Sequence, residues 1–433
     1  MKHYRDYKKQ FNTLVLIILL LFPVVFSYAQ SAQNLQDQIN QKNSDIAQLE
    51  KEIANFQSQL DSLGQQKNSL SSSLKALDLT KKKLDADIAL TQKKIDKTNF
   101  TIQSLSSDIH TKEDSIKNNL DSIRLEIKNI NESEQTSLVE NILSNNDFST
   151  IWNDMDNIIT VRERIRAEII TLKQTKGALE DTRNVTIDAK NELSKLKSQL
   201  SDQQKIVVQN TKEKNKLLAQ TKNSEANYQK LLKSKLAQKN AIEKELRDYE
   251  SQLKYILDPS KLPNAGVFSW PLDYILITQL FGKTVDSKRL YVSGSHGGVD
   301  FRASVGTPVK SMASGIVAGI GDTDIQCPGA SFGKFVFIKY DNGLSSAYGH
   351  LSLIKVNVGQ KVDRGTVVAY SGNTGYSTGP HLHVSVFAPN AAEVKNLPSK
   401  ACPGKSLTQP LAPINAYLDP MYYLPPTNPS MFK

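Results

Sequence analysis

The chain has 433 residues, 54 Lys and Arg against 44 Asp and Glu, a net charge of +10, two cysteines and six histidines. The charge is dispersed, about +3 in the first thirty residues, about +5 beyond residue 256 and roughly +2 between, with no basic block carrying interleaved aromatics. That argues against a nucleic-acid partner and suits an anionic cell-wall or membrane setting.

Lys2, Arg5, Lys8 and Lys9 lead into an apolar run from Thr13 to Phe26, broken only by Pro23, and Ser27-Tyr28-Ala29 offers small residues for a signal peptidase. Residues 1–29 therefore read as an export signal cleaved after Ala29. The alternative is a retained anchor, for which the run is short against a hydrocarbon core of about 30 Å. Either way the remainder is expected outside the cytoplasmic membrane, in the cell envelope or periplasm.

Residues 30–256 hold no proline and only Gly64 and Gly177. Stepping by seven from Ile39 reaches Ile130 with twelve of fourteen positions apolar, the exceptions being Lys67 and Lys81. A repeat of about 3.5 residues held this long keeps one stripe against a partner helix. Ser144-Asn145-Asn146-Asp147-Phe148-Ser149 then groups turn and capping residues, and a second series runs from Ile158 to Tyr249 with Thr186, Lys214, Thr221 and Lys235 in its seam. Two arms of similar length joined by a short break predict a long antiparallel coiled-coil hairpin of about 150 Å. A parallel dimer is the alternative. Apolar and aromatic residues crowd the break from Leu138 to Ile159, Trp152 among them, and would either pack together or dock a partner.

Asp258, Pro259 and Pro263 end the second arm, so 257–266 reads as a linker. From 267 to 433 glycine and proline recur, and the period becomes strand-like at 315–319, 335–340, 344–348, 356–358, 366–371 and 383–387, with Asp341-Asn342-Gly343 as a hairpin turn. The fold class is thus α + β, a helical hairpin followed by a mostly antiparallel β domain large enough for its own core.

Four of the six histidines fall in this domain, at His296, His350, His381 and His383. On a strand His381 and His383 share a face and can serve one site. Histidine with carboxylate suits Zn²⁺, which in catalytic sites takes three protein ligands and leaves a fourth position for water. His296, Asp300 and one member of the His381/His383 pair supply such a set, leaving two histidines to move protons and steady developing negative charge. Which of the pair binds metal stays open on the residues alone.

His296-x-Gly298-x-Asp300-Phe301, Gly306-Thr307-Pro308-Val309, Tyr348-x-His350-Leu351 and Gly375-Tyr376-Ser377-Thr378-Gly379-Pro380-His381-Leu382-His383 resemble the lysostaphin-type (LytM-domain) zinc metallopeptidases, which cleave peptide cross-links of bacterial peptidoglycan. The resemblance covers about Val267 to Phe387. It implies His296, Asp300 and His383 as zinc ligands, and His350 and His381 as catalytic histidines. The layout of signal, coiled coil and this domain also looks like the murein hydrolase activators of cell division. Many of those have lost their metal ligands and switch on a separate amidase while a membrane-bound division complex holds the coil. All five positions are present here, so an active peptidoglycan endopeptidase is expected, with the non-catalytic activator as the alternative. Asp322 to Phe332 and Ala388 to Pro413 look longer than the family's connections and hold Cys327 and Cys402, an even pair that in an exported protein suggests a disulfide. Metal ligation by cysteine is the alternative.

Overall fold

A computed structural model describes residues 34–60, 62–63, 69–133, 148–284, 287–288, 291–377 and 379–432. The signal at 1–29, the turn at 144–147, most of the apolar break from Leu138, and Thr378 lie outside the described residues. Among those described, no helix is long and apolar enough to cross a membrane. The architecture is the expected α + β, long helices followed by a mostly antiparallel β domain. The chain divides into two compact units, Met1–Leu49 with Ala89–Leu200, and Glu50–Ile88 with Ser201–Lys433.

The helices are α1 (34–60), α2 (Leu70–Ser133), α3 (Phe148–Thr221) and α4 (Glu225–Gln252). Within the first unit, Ser122 donates to Glu168 (2.9 Å) and Arg183 to Glu113 (2.8 Å), so partner numbers fall on α2 as they rise on α3. The arms are antiparallel. The first arm is nonetheless not one helix: Lys93 of α2 pairs with Asp45 of α1 at 2.9 Å and Asp96 with Lys42 at 3.8 Å, so α1 is folded back on α2. The seven-residue count passes through this reversal by coincidence. At the start of α2 the Ser69 hydroxyl accepts from the Ser72 N–H.

The second arm breaks too, at Lys222 and Asn223, whose φ values of 48° and 55° lie in the left-handed region. Asparagine tolerates that region and Ser224 follows it, so the break has a local chemical cause. Within the second unit the polar seam residues find partners. Thr221 is fully buried and bonds its own helix, while Lys214 reaches Asp78 at 2.5 Å. The base of the coil rests on the β domain through a cluster of Leu84, Ile206 and Tyr370, with Asp202 accepting from the Tyr370 hydroxyl (3.1 Å) and Lys355 (2.9 Å).

The strands are β1 (Ile277–Gln279), β2 (Val299–Arg302), β3 (Pro308–Lys310), β4 (Gly315–Asp322), β5 (Lys334–Tyr340), β6 (Ser345–Ile354), β7 (Lys361–Val362), β8 (Val367–Ser371), β9 (His381–Phe387), β10 (Glu393–Ser399), β11 (Lys405–Leu411) and β12 (Tyr417–Leu418). The main sheet runs β1-β2-β9-β6-β5-β4-β7, with β8 also on β6, β3 on β8 and β12 on β9. Asp341–Gly343 forms the β5–β6 turn as expected, with Gly343 at φ 88° and the Leu344 N–H bonded to the Asn342 side chain. Residues 356–358 are not a strand. The long connection from Ala388 instead contains the β10–β11 hairpin, which sequence hid because Pro398 and Pro410 interrupt its alternation. Phe268, Phe301, Tyr348 and Val384 anchor the core, where the Tyr348 hydroxyl meets that of Tyr340 at 2.7 Å and accepts from the Met312 N–H.

Helix α4 lies on this domain. Ile242 is buried with Cys327, Cys402 and Leu407, and the two cysteines sit within bonding reach of each other, their Cα atoms 6.1 Å apart. The Glu245 carboxylate accepts from the Lys400 N–H (2.6 Å), the Ala401 N–H (3.1 Å) and the Ser399 hydroxyl (2.9 Å), gathering the β10–β11 turn onto the helix. Hydrogen bonds to a charged acceptor are each worth about 1.5–3 kcal/mol. Glu245→Ala should therefore loosen α4 selectively, read as faster amide exchange across Glu225–Gln252 with the β-sheet amides unchanged.

Candidate active site

The pairing of β2 with β9 sets Asp300 opposite His383, while His296, just before β2, is held by a bridge to Gly282. His296 Nε2 and His383 Nδ1 both approach Asp300 Oδ1, at 3.2 and 2.9 Å, and lie 3.1 Å from each other. His381, two residues before His383 on the same strand face, brings Nε2 to 3.7 Å from the same oxygen. The alternation argument for this pair holds.

His350 arrives differently. It sits on β6 with φ 60°, a left-handed conformation that breaks the strand's alternation and costs on the order of 1–3 kcal/mol. Its N–H is bonded to the Phe332 carbonyl at 2.7 Å, which holds the backbone there. The ring centroid then lies 4.6 Å from that of His381 and 5.9 Å from that of His383. All five residues singled out in the sequence meet in one place.

Each imidazole has one nitrogen engaged on the outside of the cluster. His296 Nδ1 faces the Leu280 carbonyl (3.0 Å), His350 Nδ1 the Thr374 carbonyl (2.9 Å) and His381 Nδ1 the Gly379 carbonyl (2.8 Å). A carbonyl only accepts, so those three nitrogens carry the proton and the three Nε2 lone pairs point inward. His383 is reversed: its Nε2 meets the Ser385 hydroxyl at 2.9 Å and its Nδ1 faces the cluster. Thr374 is itself pinned, its hydroxyl donating to the Leu351 carbonyl while accepting from the Lys334 N–H, and Asp324 accepts from the next N–H, that of Gly375.

Burial alone would raise the Asp300 carboxyl, but the positive charges that His381 and His296 carry when protonated, with the hydrogen bonds that His296 and His383 then donate, hold it well below the carboxylate range. His350 is pushed well below the usual imidazole range, by burial first and by the neighbouring His381 and His383 second. His383 is lowered by burial, with Asp300 opposing.

His296, Asp300 and His383 form the one group of three or more such side chains suited to a metal ion among the described residues. Two imidazoles and a carboxylate are a Zn²⁺ donor set. Separations of 2.9–3.2 Å are close to the edges of a tetrahedron whose bonds are about 2.0–2.2 Å.

His296 and His383 lie at one wall of a cleft of about 250 Å³, which His350, Tyr291 and Tyr376 also line. Tyr291 stacks on His296 with centroids 5.2 Å apart, and burial, then the Asp300 charge, raises its phenol. Across the cleft stand Lys239, Glu243 and Glu250 of α4, with the Glu243 carboxylate accepting from the Ser293 N–H at 3.0 Å. Sequence reasoning missed Tyr291, Ser385 and the whole α4 wall. Ser385 had a signal, since it follows His381 and His383 in the same alternation; the helix residues had none.

Fold and site define a metallopeptidase-type centre carried on an antiparallel sheet. Residues 294–395 match the family model for peptidase family M23, a zinc-dependent family, so the chain carries an M23, lysostaphin-type domain. An uncharacterized metalloprotease of Haemophilus influenzae is 43% identical over 111 residues, 26% of this chain and 22% of its own length. The peptidoglycan DD-endopeptidase ShyA of Vibrio cholerae is 39% identical over 121 residues, 27% of this chain and 27% of its own. Among solved structures, the catalytic domain of lysostaphin from Staphylococcus simulans is 32% identical, covering 27% of this chain and 82% of that one, with a TM-score of 0.23. The chain spans about a quarter of the length of the curated relatives it matches.

Two predictions follow from this geometry. A Cβ on Gly298 would fall 2.3 Å from the Val384 carbonyl and 2.8 Å from the His383 ring. Gly298→Ala should therefore part β2 from β9, seen as a lowered melting temperature and a displaced His383 imidazole resonance. The second concerns Glu250, which is raised from 4.5 to about 7, by burial first, against its 2.5 Å bond from the Tyr417 hydroxyl and the nearby Arg247. A docked carboxyl that stays neutral while its undocked form ionises stabilises docking fully below about pH 4.5, and that contribution is lost as pH rises through about 7. Amide exchange in α4, corrected for intrinsic rates, should rise between pH 5 and 8, and Glu250→Gln should flatten the rise.

Proposed function

We propose that this chain is an exported zinc endopeptidase that hydrolyses peptide cross-links of bacterial peptidoglycan, positioned or regulated by its coiled coil. The observation that carries the reading is the convergence of five side chains from three separate segments, each imidazole already turned to offer one nitrogen inward. A chain that kept only the shape of this domain would have no need of all five.

In this reading His296 Nε2, Asp300 Oδ1 and His383 Nδ1 hold the zinc. The Ser385 hydroxyl accepts from His383 Nε2–H, which frees the Nδ1 lone pair for the metal. When bound, zinc lowers the pKa of its water towards about 7 and polarises the scissile carbonyl. His350, kept neutral by burial, has an Nε2 lone pair able to take a proton from the attacking water at neutral pH. The proton taken up by His350 is the one it returns to the leaving amine, and His381, its Nδ1–H held by the Gly379 carbonyl, would steady the tetrahedral oxyanion through Nε2–H in its protonated form. Tyr291, stacked on His296, and Phe332, edge-on to His383, wall the cleft and restrict water.

The basic leader and apolar run support export to the cell envelope, and an oxidising compartment supports a Cys327–Cys402 disulfide joining the loop after β4 to the β10–β11 hairpin. The coil supports a membrane-bound partner, with a role in wall remodelling or cell division.

Full chain loaded with zinc should release peptide-cleaved fragments from purified sacculi, and a chelator should stop it. His350→Ala should lower the rate by about 10²–10⁴-fold while zinc content is retained, whereas His383→Ala should lose both. Failure to digest, combined with stimulation of a separate amidase that His383→Ala leaves intact, would instead establish the non-catalytic activator.

A further inference from the structure

The α4 wall places an ammonium group directly in the cleft. Lys239 is only 4% exposed, and its Nζ sits 4.0 Å from the centre of the Tyr376 ring and 5.2 Å from that of Tyr291, with Glu243 at 3.3 Å. An ammonium taken out of water needs compensation, and tyrosine faces within about 6 Å supply it, at roughly 0.5–2 kcal/mol each. Lysine is otherwise a poor choice for a buried position facing a domain.

The two rings belong to the β domain, and their placement does not depend on Lys239. The Tyr376 N–H is bonded to the Ser331 carbonyl at 2.9 Å, and the Gly375 N–H before it to Asp324 at 2.7 Å. Tyr291 is held flat against His296 at an interplanar angle of 16°. The pair is therefore a built receptor for a cation beside the metal-ligand set, and the helix residue fills it as a ligand would.

We propose that Tyr291 and Tyr376 form a subsite for a primary ammonium of the substrate peptide, which Lys239 of α4 occupies until a substrate amine displaces it. This rests on the peptidoglycan reading above and adds the chemical class recognised: a stem or cross-bridge bearing a free amine next to the bond cleaved. An acylated amine loses the cation and has nothing to exchange for Lys239.

The test uses the full chain in the His350→Ala background, so that the wall material is not consumed. The probes are purified peptidoglycan with free side-chain amines and the same material N-acetylated. Lys239→Met keeps the aliphatic reach and removes the charge. It should bind the amine-bearing material about tenfold more tightly than the Lys239 parent, with acetylated material about tenfold weaker. Adding Tyr376→Leu should abolish that preference. A second readout needs no change at Lys239: amine-bearing fragments, but not acetylated ones, should speed amide exchange in α4. Equal binding of both materials by Lys239→Met, or exchange that responds to both alike, overturns the ammonium subsite and leaves the endopeptidase reading standing. Binding of neither material by any variant removes the peptidoglycan reading, and the subsite with it.

Discussion

The centre depends on a carboxylate that is nearly out of reach of water. Asp300 is 6% exposed, and a lone ionised carboxyl in that position would cost several kcal/mol. It is tolerated where positive charge stands against it, and His296, His381 and His383 bring ring nitrogens that can carry a proton or hold a cation to within 3.7 Å of one of its oxygens. That convergence is in turn a consequence of strand register. The pairing of Asp300 with His383, and of Arg302 with His381, fixes the two strands so that every second residue of β9 faces the carboxylate. A one-residue slip would send both histidines to the opposite face. Close approach is possible only because Gly298, between the two ligands on the β2 side, has no side chain to keep the strands apart.

A second cost is carried by His350. Its left-handed backbone departs from the extended geometry of the strand it sits on, and no glycine relieves it. The bond from its own N–H to the Phe332 carbonyl, and that from its Nδ1 to the Thr374 carbonyl, draw it between two loops. Those loops are fastened to each other in turn, through Asp324 to Gly375 and Tyr376 to Ser331. The loop after β4 thus braces the loop that orients one of the inward-facing imidazoles.

Much of this was legible in the residues. Histidine scarcity and the two-residue spacing of His381 and His383 located the centre, and the Asp341-Asn342-Gly343 turn located the β5–β6 hairpin. What stayed hidden has physical reasons. The heptad count could not register the reversal between α1 and α2, because a period reports which face is apolar and not where the chain turns. The β10–β11 hairpin was masked by its prolines. His350 could be assigned a role only by resemblance, since nothing in Tyr348-Gly349-His350-Leu351 announces a positive φ. Above all, no local pattern tells that Lys239, one of many lysines on a coil, is set against two tyrosines of a distant domain.

The character of the α4 contact bears on how the cleft is used. Along the 28 residues of the helix, the buried ones are Tyr228, Lys239 and Ile242, and the apolar contact with the domain rests on Ile242 with the partly buried Leu246 beside it. The rest is polar: Glu243 to the Ser293 N–H, Glu245 to the 399–401 turn, Tyr249 to the Pro398 carbonyl and Glu250 to Tyr417. Such bonds, about 1.5–3 kcal/mol each where the acceptor is charged, can be exchanged for bonds to water or to a polar ligand, whereas the sheet core buries Phe301, Tyr348 and Val384 entirely. The helix is therefore held by interactions that water or a polar ligand can replace one at a time, and the sheet by interactions that they cannot.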